Sequence, residues 1–217
     1  MGGNYHALDD LPSTLDVFPL TGVLLLPRGN LPLNVFEPRY LALVDATLAG
    51  TRLIGLIQPT QHEDKILKPA LSAIGCAGRI TSYREGDDGR YLITLTGICR
   101  FRVVEELQTS EPYRRVTADF APFLGDLVAA DEIDFPRERL LAALKDYLSK
   151  RDLKADWKSV ISAPPETLVN ALAMLCPFEP AEKQALLEAP GWAERVDTLV
   201  ALLEMAGAGP PGQASIN

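Results

Sequence analysis

The sequence is short of the residues that most often do chemistry. It holds two histidines and three cysteines in 217 residues. His6 stands near the start of the chain, and His62 sits in the polar run "QPTQHEDK". Glu63 and Asp64 follow His62 directly, so the three lack the convergent spacing of a metal site. A solvated loop is the expectation there, and no metal is expected. Cys76, Cys99 and Cys176 lie far apart, their number is odd, and no C-x-x-C occurs. That pattern describes reduced, packed thiols rather than a disulfide frame. No G-x-x-x-x-G-K-[ST] is present, so no phosphate cradle is encoded. No cofactor is expected.

Positive charge is also lacking. Twenty-one basic residues face 29 acidic ones, a net charge of −8. Nucleic-acid binding draws most of its affinity from phosphate neutralisation, so a nucleic-acid partner is not expected. No apolar run reaches the roughly 18 residues that span a bilayer. The opening "MGGNYHALDD" has neither a basic nor an apolar stretch, so it does not read as a secretory signal. Gly2 suits myristoylation, but His6 occupies the place that needs Ser or Thr. A cytoplasmic protein with no membrane partner is the expectation.

What the chain does have is 47% apolar and 23% charged residues, enough to bury a core unaided. Two textures divide it. Up to about residue 123 short apolar runs alternate with turn residues. "LDVFPL", "GVLLLP", "LPLNVF", "RLIGLIQP", "SAIGCAGRITSY", "YLITLTG", "ICRFRVVEEL" and "YRRVTADFAPF" read as strands of a barrel or coiled sheet. "DDGR" supplies the Asp-Gly of a tight hairpin. One helix interrupts them over 37–50, with Leu41, Val44 and Leu48 as its stripe and Gly50 as its stop. From about 135 the chain reads as about four helices. "FPRERLLAALKDYLSKR" carries Leu140, Leu141, Leu144 and Leu148, Asp156 caps "WKSVISA", "PETLVNALAML" ends before Pro177, and Pro190-Gly191 breaks the last segment. Val196, Leu199, Val200 and Leu203 form the final stripe. The expected divisions are a flexible N-terminus over 1–14, a β domain over 15–123, a linker over 124–135, a helical subdomain over 136–208 and a disordered tail over 209–217.

"NVFEPRY" (34–40) packs an acid, a base and a phenol together. Pro38 fits the first position of a helix, where its missing N–H costs nothing. Glu37 would then face the positive end of the helix dipole, worth roughly 0.3–1 kcal/mol. Glu37, Pro38, Arg39 and Tyr40 therefore read as a structural strand-to-helix corner. No catalytic residue is assigned.

The stretch "FPLTGVLLLPRGNLPLNVFEPRYLALVDATLAG" resembles the opening of the N-terminal, substrate-binding domain of the Lon protease family. "DDGRYLITLTGICRFRVVEE" and "EPYRRVTADF" are similar to later segments of that domain. Two positions depart: Arg28 follows Pro27 with Gly29 next, and Asn34 stands where His or Arg is common. The resemblance implies an α+β fold, a PUA-like coiled β-barrel with one early helix followed by a C-terminal helical bundle. It implies a member lacking the ATPase and peptidase domains, and a non-enzymatic module that binds unfolded or apolar peptide segments or a protein partner. Its groove is expected near Pro27, Leu33 and Phe36 and near Arg100 and Arg102. Two other readings stand beside it: an RNA-binding PUA-like module using the Arg100–Arg102 strip, and a small hydrolase built on Cys76 or Cys99.

Overall fold

A computed structural model describes residues 5–60, 68–128 and 135–208. The chain divides into two compact units, residues 1–129 and 130–217. His62, Glu63 and Asp64 and the tail 209–217 lie outside the described residues.

The first unit is built on six strands: β1 (Thr14–Pro19), β2 (Asn30–Val35), β3 (Leu53–Ile57), β4 (Ile74–Glu85), β5 (Tyr91–Leu107) and β6 (Arg114–Asp119). They form one sheet in the order β2-β5-β4-β3-β1-β6, and β6 pairs with β5 as well. The β1–β3 pair is parallel, and the other pairs are antiparallel. The sheet coils back on itself because β5 is long enough to serve two partners. Its first half lies against β2, from Tyr91 opposite Val35 to Thr96 opposite Asn30. Its second half lies against β6, from Arg102 opposite Asp119 to Leu107 opposite Arg115. Register shifts at Ala77/Gly78 and at Val103/Glu105 supply the bends.

The sequence suggests two separate runs where β5 is continuous. Gly97, between them, stays in the ladder opposite Gly78. It has a second role. A Cβ there would lie 2.0 Å from the carbonyl oxygen of Leu26. Gly97 thus lets the segment before β2 lie directly on β5. Its N–H donates to Gly29 O (2.9 Å), and its carbonyl accepts from the Arg28 N–H (2.8 Å). "GVLLLP", expected as a strand, is instead an irregular segment in which Leu24, Leu25 and Leu26 are all buried.

The core gathers Leu15, Val17, Leu53, Ile57, Phe101 and Val116. Phe101 is fully buried, and its ring fills the space over Gly55 and Gly75, where a Cβ would lie 2.9 and 2.6 Å from it. Helix α1 (Pro38–Ala49) buries Tyr40, Leu43, Val44 and Thr47. The expected stripe has the right period and the wrong phase. Tyr40 anchors the first turn, so Leu41 and Leu48 flank the buried line instead of forming it.

The second unit holds five helices among the described residues: α2 (Arg137–Lys150), α3 (Trp157–Ser162), α4 (Pro165–Leu175), α5 (Pro180–Glu188) and α6 (Trp192–Ala208). Proline opens α4 and α5 at the first helical position. Helix α2 buries Leu140, Ala143, Leu144 and Tyr147, with Leu141 and Leu148 beside that line. Helix α6 buries Val196, Leu199, Val200 and Leu203, as its spacing predicts. No described helix is long and apolar enough to cross a membrane.

Candidate functional site

The corner at 34–40 proves to be a joint. Glu37 is the N-cap of α1 by backbone geometry (φ −72°, ψ 132°), and Pro38 follows at the first helical position. The Glu37 carboxylate accepts from Arg39 Nε at 3.0 Å rather than from the helix backbone. Both side chains are more than two-fifths exposed, so the pair is worth only about 0–1 kcal/mol. Arg39 also lies 4.5 Å above the Tyr40 ring. Tyr40 does the joining: its ring meets Phe18 of β1 at 4.1 Å between centroids, and its hydroxyl donates to Pro19 O at 3.3 Å. Burial, the largest cause, holds its phenol above the usual tyrosine range. Tyr40 thus ties the helix to the strand, while Glu37, Pro38 and Arg39 shape the helix start.

Arg100 and Arg102 do not form an exposed strip. Alternation places them on one face, and Arg102 is exposed, but Arg100 is 4% exposed. A short helical segment, Ala121–Leu127, covers that face and brings Asp126 to it. Arg100 donates to the Asp126 carboxylate through Nε (2.9 Å), Nη2 (3.0 Å) and its own backbone N–H (3.0 Å). The guanidinium also lies 4.7 Å above the Phe123 ring. Arg28 donates from Nη1 to the Asp126 carbonyl. Arg100 is a buried clasp, and an RNA-binding strip loses one of its two members.

The thiols are equally committed. Cys99 is fully buried and donates to Phe123 O at 3.3 Å. Burial, with Asp126 nearby, pushes its thiol up to about 12. Such a thiol stays protonated at neutral pH and is a poor nucleophile. Cys76 is 1% exposed. Among the described residues no group of three or more His, Cys, Asp or Glu could hold a metal ion.

Among the described residues one surface concavity in each unit bears on binding. In the first unit a shallow depression of about 400 Å³ lies on the β2–β5–β4 ribbon, lined by Leu33, Asn34, Arg84 and Leu92 among others. Phe36, just beyond β2, is 60% exposed, with the Arg90 guanidinium 5.5 Å from its ring. Leu33 and Phe36 of the expected groove therefore stand at or near a surface. Pro27 does not, because it is buried in the segment laid over Gly97.

In the second unit a groove of about 440 Å³ opens where α2, α3 and α4 converge. Its lining is almost wholly apolar: Leu148, Leu153, Val160, Leu172 and Leu175 are typical. Leu175 is 81% and Leu153 43% exposed. Polar bonds hold the walls. Asp156 caps α3, accepting from the N–H groups of Lys158 and Ser159 and from the Ser159 hydroxyl at 2.6 Å. Those bonds, the hydroxyl first, hold its carboxyl below the usual range. At the other end of α3, Arg137 Nη2 donates to the carbonyls of Val160, Ile161 and Ala163. It satisfies acceptors that a helix end leaves unpaired and ties α3 to α2. Lys183 reaches from α5 to the Met174 carbonyl near the end of α4.

Reading the sequence alone overlooks this groove. One signal was there: α4 carries more apolar residues than one buried stripe uses. Leu168, Val169 and Ala173 are buried, which leaves Leu172 and Leu175 for another surface.

Comparison with known proteins adds a relationship. Residues 14–205 match the family model of the ATP-dependent protease La (LON) substrate-binding domain. A Lon protease of Roseiflexus castenholzii is 25% identical over 198 residues, 90% of this chain and 24% of that protein. One from Desulfosudis oleivorans is 34% identical over 107 residues, 48% of this chain and 13% of that protein. The chain thus spans about a quarter or less of the curated relatives it matches. A crystal structure of a Lon N-terminal domain protein from Xanthomonas campestris is 25% identical, with a TM-score of 0.59, covering 88% of this chain and 98% of that one. The N-terminal domain of a Mycobacterium avium complex Lon protease shares the fold at 17% identity and a TM-score of 0.59, covering 90% and 98%.

Proposed function

The chain belongs to the family of LON substrate-binding domains, and on that premise we propose that it binds polypeptides and leaves their covalent bonds intact. Its occupants are apolar segments of unfolded proteins, held in the groove between α2, α3 and α4, and its setting is protein quality control. The exposed apolar lining of that groove carries the reading. Leu175 and Leu153 keep their side chains in water at a cost that a bound apolar chain removes. Burial returns about 25 cal/mol per Å² before ordering costs, so micromolar and weakly selective binding is expected. The depression beside Leu33 and Phe36 is shallower in character and is the second place to look.

The test is fluorescence anisotropy with a labelled, permanently unfolded polypeptide. Binding in the micromolar range is expected, weakened about tenfold by Leu153→Ser with Leu175→Ser. Both positions are exposed, so the fold survives. If the unaltered chain binds no unfolded polypeptide, the proposal fails. Binding that ignores the groove pair and disappears with Phe36→Ser moves the site to the sheet.

A further inference from the structure

We propose that the groove of the helical unit selects apolar segments flanked by acidic residues, a refinement that rests on the polypeptide-binding reading. The lining includes one charged residue, Lys154, and no carboxylate. The stretch 150–158, "KRDLKADWK", places Lys150 and Arg151 at the end of α2, Lys154 on the groove itself, and Lys158 in the first turn of α3 beside the lining residue Ser159. All four cations are exposed.

Their partners are few. The stretch contains two acids, Asp152 and Asp156. Asp156 is taken up by the N-terminus of α3 and the Ser159 hydroxyl. Among the described residues no carboxylate lies within salt-bridge distance of Lys150, Lys154 or Lys158. Arg151 is held 4.8 Å above the ring of Tyr147, itself part of the lining. Asp146, Asp152, Glu166 and Glu179 lie within two residues of the lining in sequence, and none of them lines the groove. Over 150–158 four cations stand against two carboxylates, so in a chain of net charge −8 this stretch beside the apolar trough carries a net positive charge. Charge complementarity at such a rim selects partners more than it tightens them. An apolar anchor with Asp or Glu on its flanks satisfies floor and rim together, while Lys flanks meet like charge.

Three labelled peptides test this, sharing one apolar core and flanked by Asp/Glu, by Ser or by Lys. Anisotropy titrations use the full chain at low ionic strength. The acidic peptide is expected to bind about tenfold tighter than the Lys-flanked one, with the Ser-flanked peptide between them. The preference should shrink in salt, since exposed charges are screened, and vanish in the triple variant Lys150→Ser, Lys154→Ser, Lys158→Ser. Equal affinity for all three peptides overturns this inference and leaves polypeptide binding standing. Failure of all three to bind overturns both. A preference that persists in the triple variant assigns it to another surface and overturns the inference. So does an RNA oligonucleotide of matched charge that displaces the acidic peptide equally well, because the apolar core would then be irrelevant.

Discussion

Cutting one side of the Arg100–Asp126 clasp should destabilise the sheet unit far more than cutting both. The side chains are 5% and 9% exposed, so water does little to compensate a lost partner. In Arg100→Met the Asp126 carboxylate keeps only the backbone N–H of residue 100 and loses two charged donors. Leaving one buried charge uncompensated costs about 3–5 kcal/mol. Asp126→Asn removes the carboxylate charge that the guanidinium faces and should cost a similar amount. The double variant is neutral, and the Asn carbonyl can still accept from the residue 100 amide. Its cost should fall to about 1–2 kcal/mol, the net worth of the hydrogen bonds no longer made. For a unit of this size 3–5 kcal/mol lowers the melting temperature by about 10–20 °C. Urea and thermal unfolding by far-ultraviolet circular dichroism measure this. Trp157 and Trp192 report the helical unit separately by fluorescence. Single variants costing under about 1 kcal/mol would refute the reasoning, since the pair would then be behaving as an exposed one. A double variant as destabilised as the sum of the singles would refute it too, because no coupling would exist.

Gly97→Ala should destabilise by at least about 2 kcal/mol in urea titration, because the new methyl meets a backbone oxygen and endangers two backbone hydrogen bonds. Gly125→Ala, where nothing lies within 4 Å, should be close to neutral. Arg28 has φ +63°, at the turn position where glycine is favoured. Arg28→Gly should therefore be more stable than Arg28→Ala by about 1 kcal/mol in the same assay, since both lose the bond to Asp126 and only glycine relieves the backbone. Glu106 is held below the usual carboxylate range, first by Arg114 and then by Lys68. A depressed folded-state value means stability present above the unfolded value and lost as pH falls through the folded one. Glu106→Gln should therefore lower stability at pH 7 and flatten its decline below about pH 4.5; an unchanged acid limb counts against the pairing.

The legible parts of the molecule are local. Pro38 after Glu37, Asp156 before α3 and Pro180 before α5 mark starts that depend on neighbours in sequence. Helical phase was harder. In α1 and α2 the period was evident, and Val44, Leu140 and Leu144 are buried as expected, but Tyr40 and Tyr147 take core places in preference to Leu41, Leu48, Leu141 and Leu148. A large aromatic ring takes more of the core than a leucine, and a period cannot express that. Of the residues expected around a groove, Leu33, Phe36 and Arg102 reach a surface, while Pro27 and Arg100 are buried.

The sequence by itself determined most of the strand positions, the corner at 34–40, the helix starts and the family, because each depends on residues within a few positions of one another. Tertiary structure decided the rest. Arg100 is buried because a segment more than 20 residues later brings Asp126 over it. Leu24–Leu26 are buried without being a strand because Gly97, about 70 residues on, leaves room for their backbone. The groove exists because α2, α3 and α4 converge. Burial and concavity depend on which distant atoms arrive, and no local pattern of residues encodes that arrival.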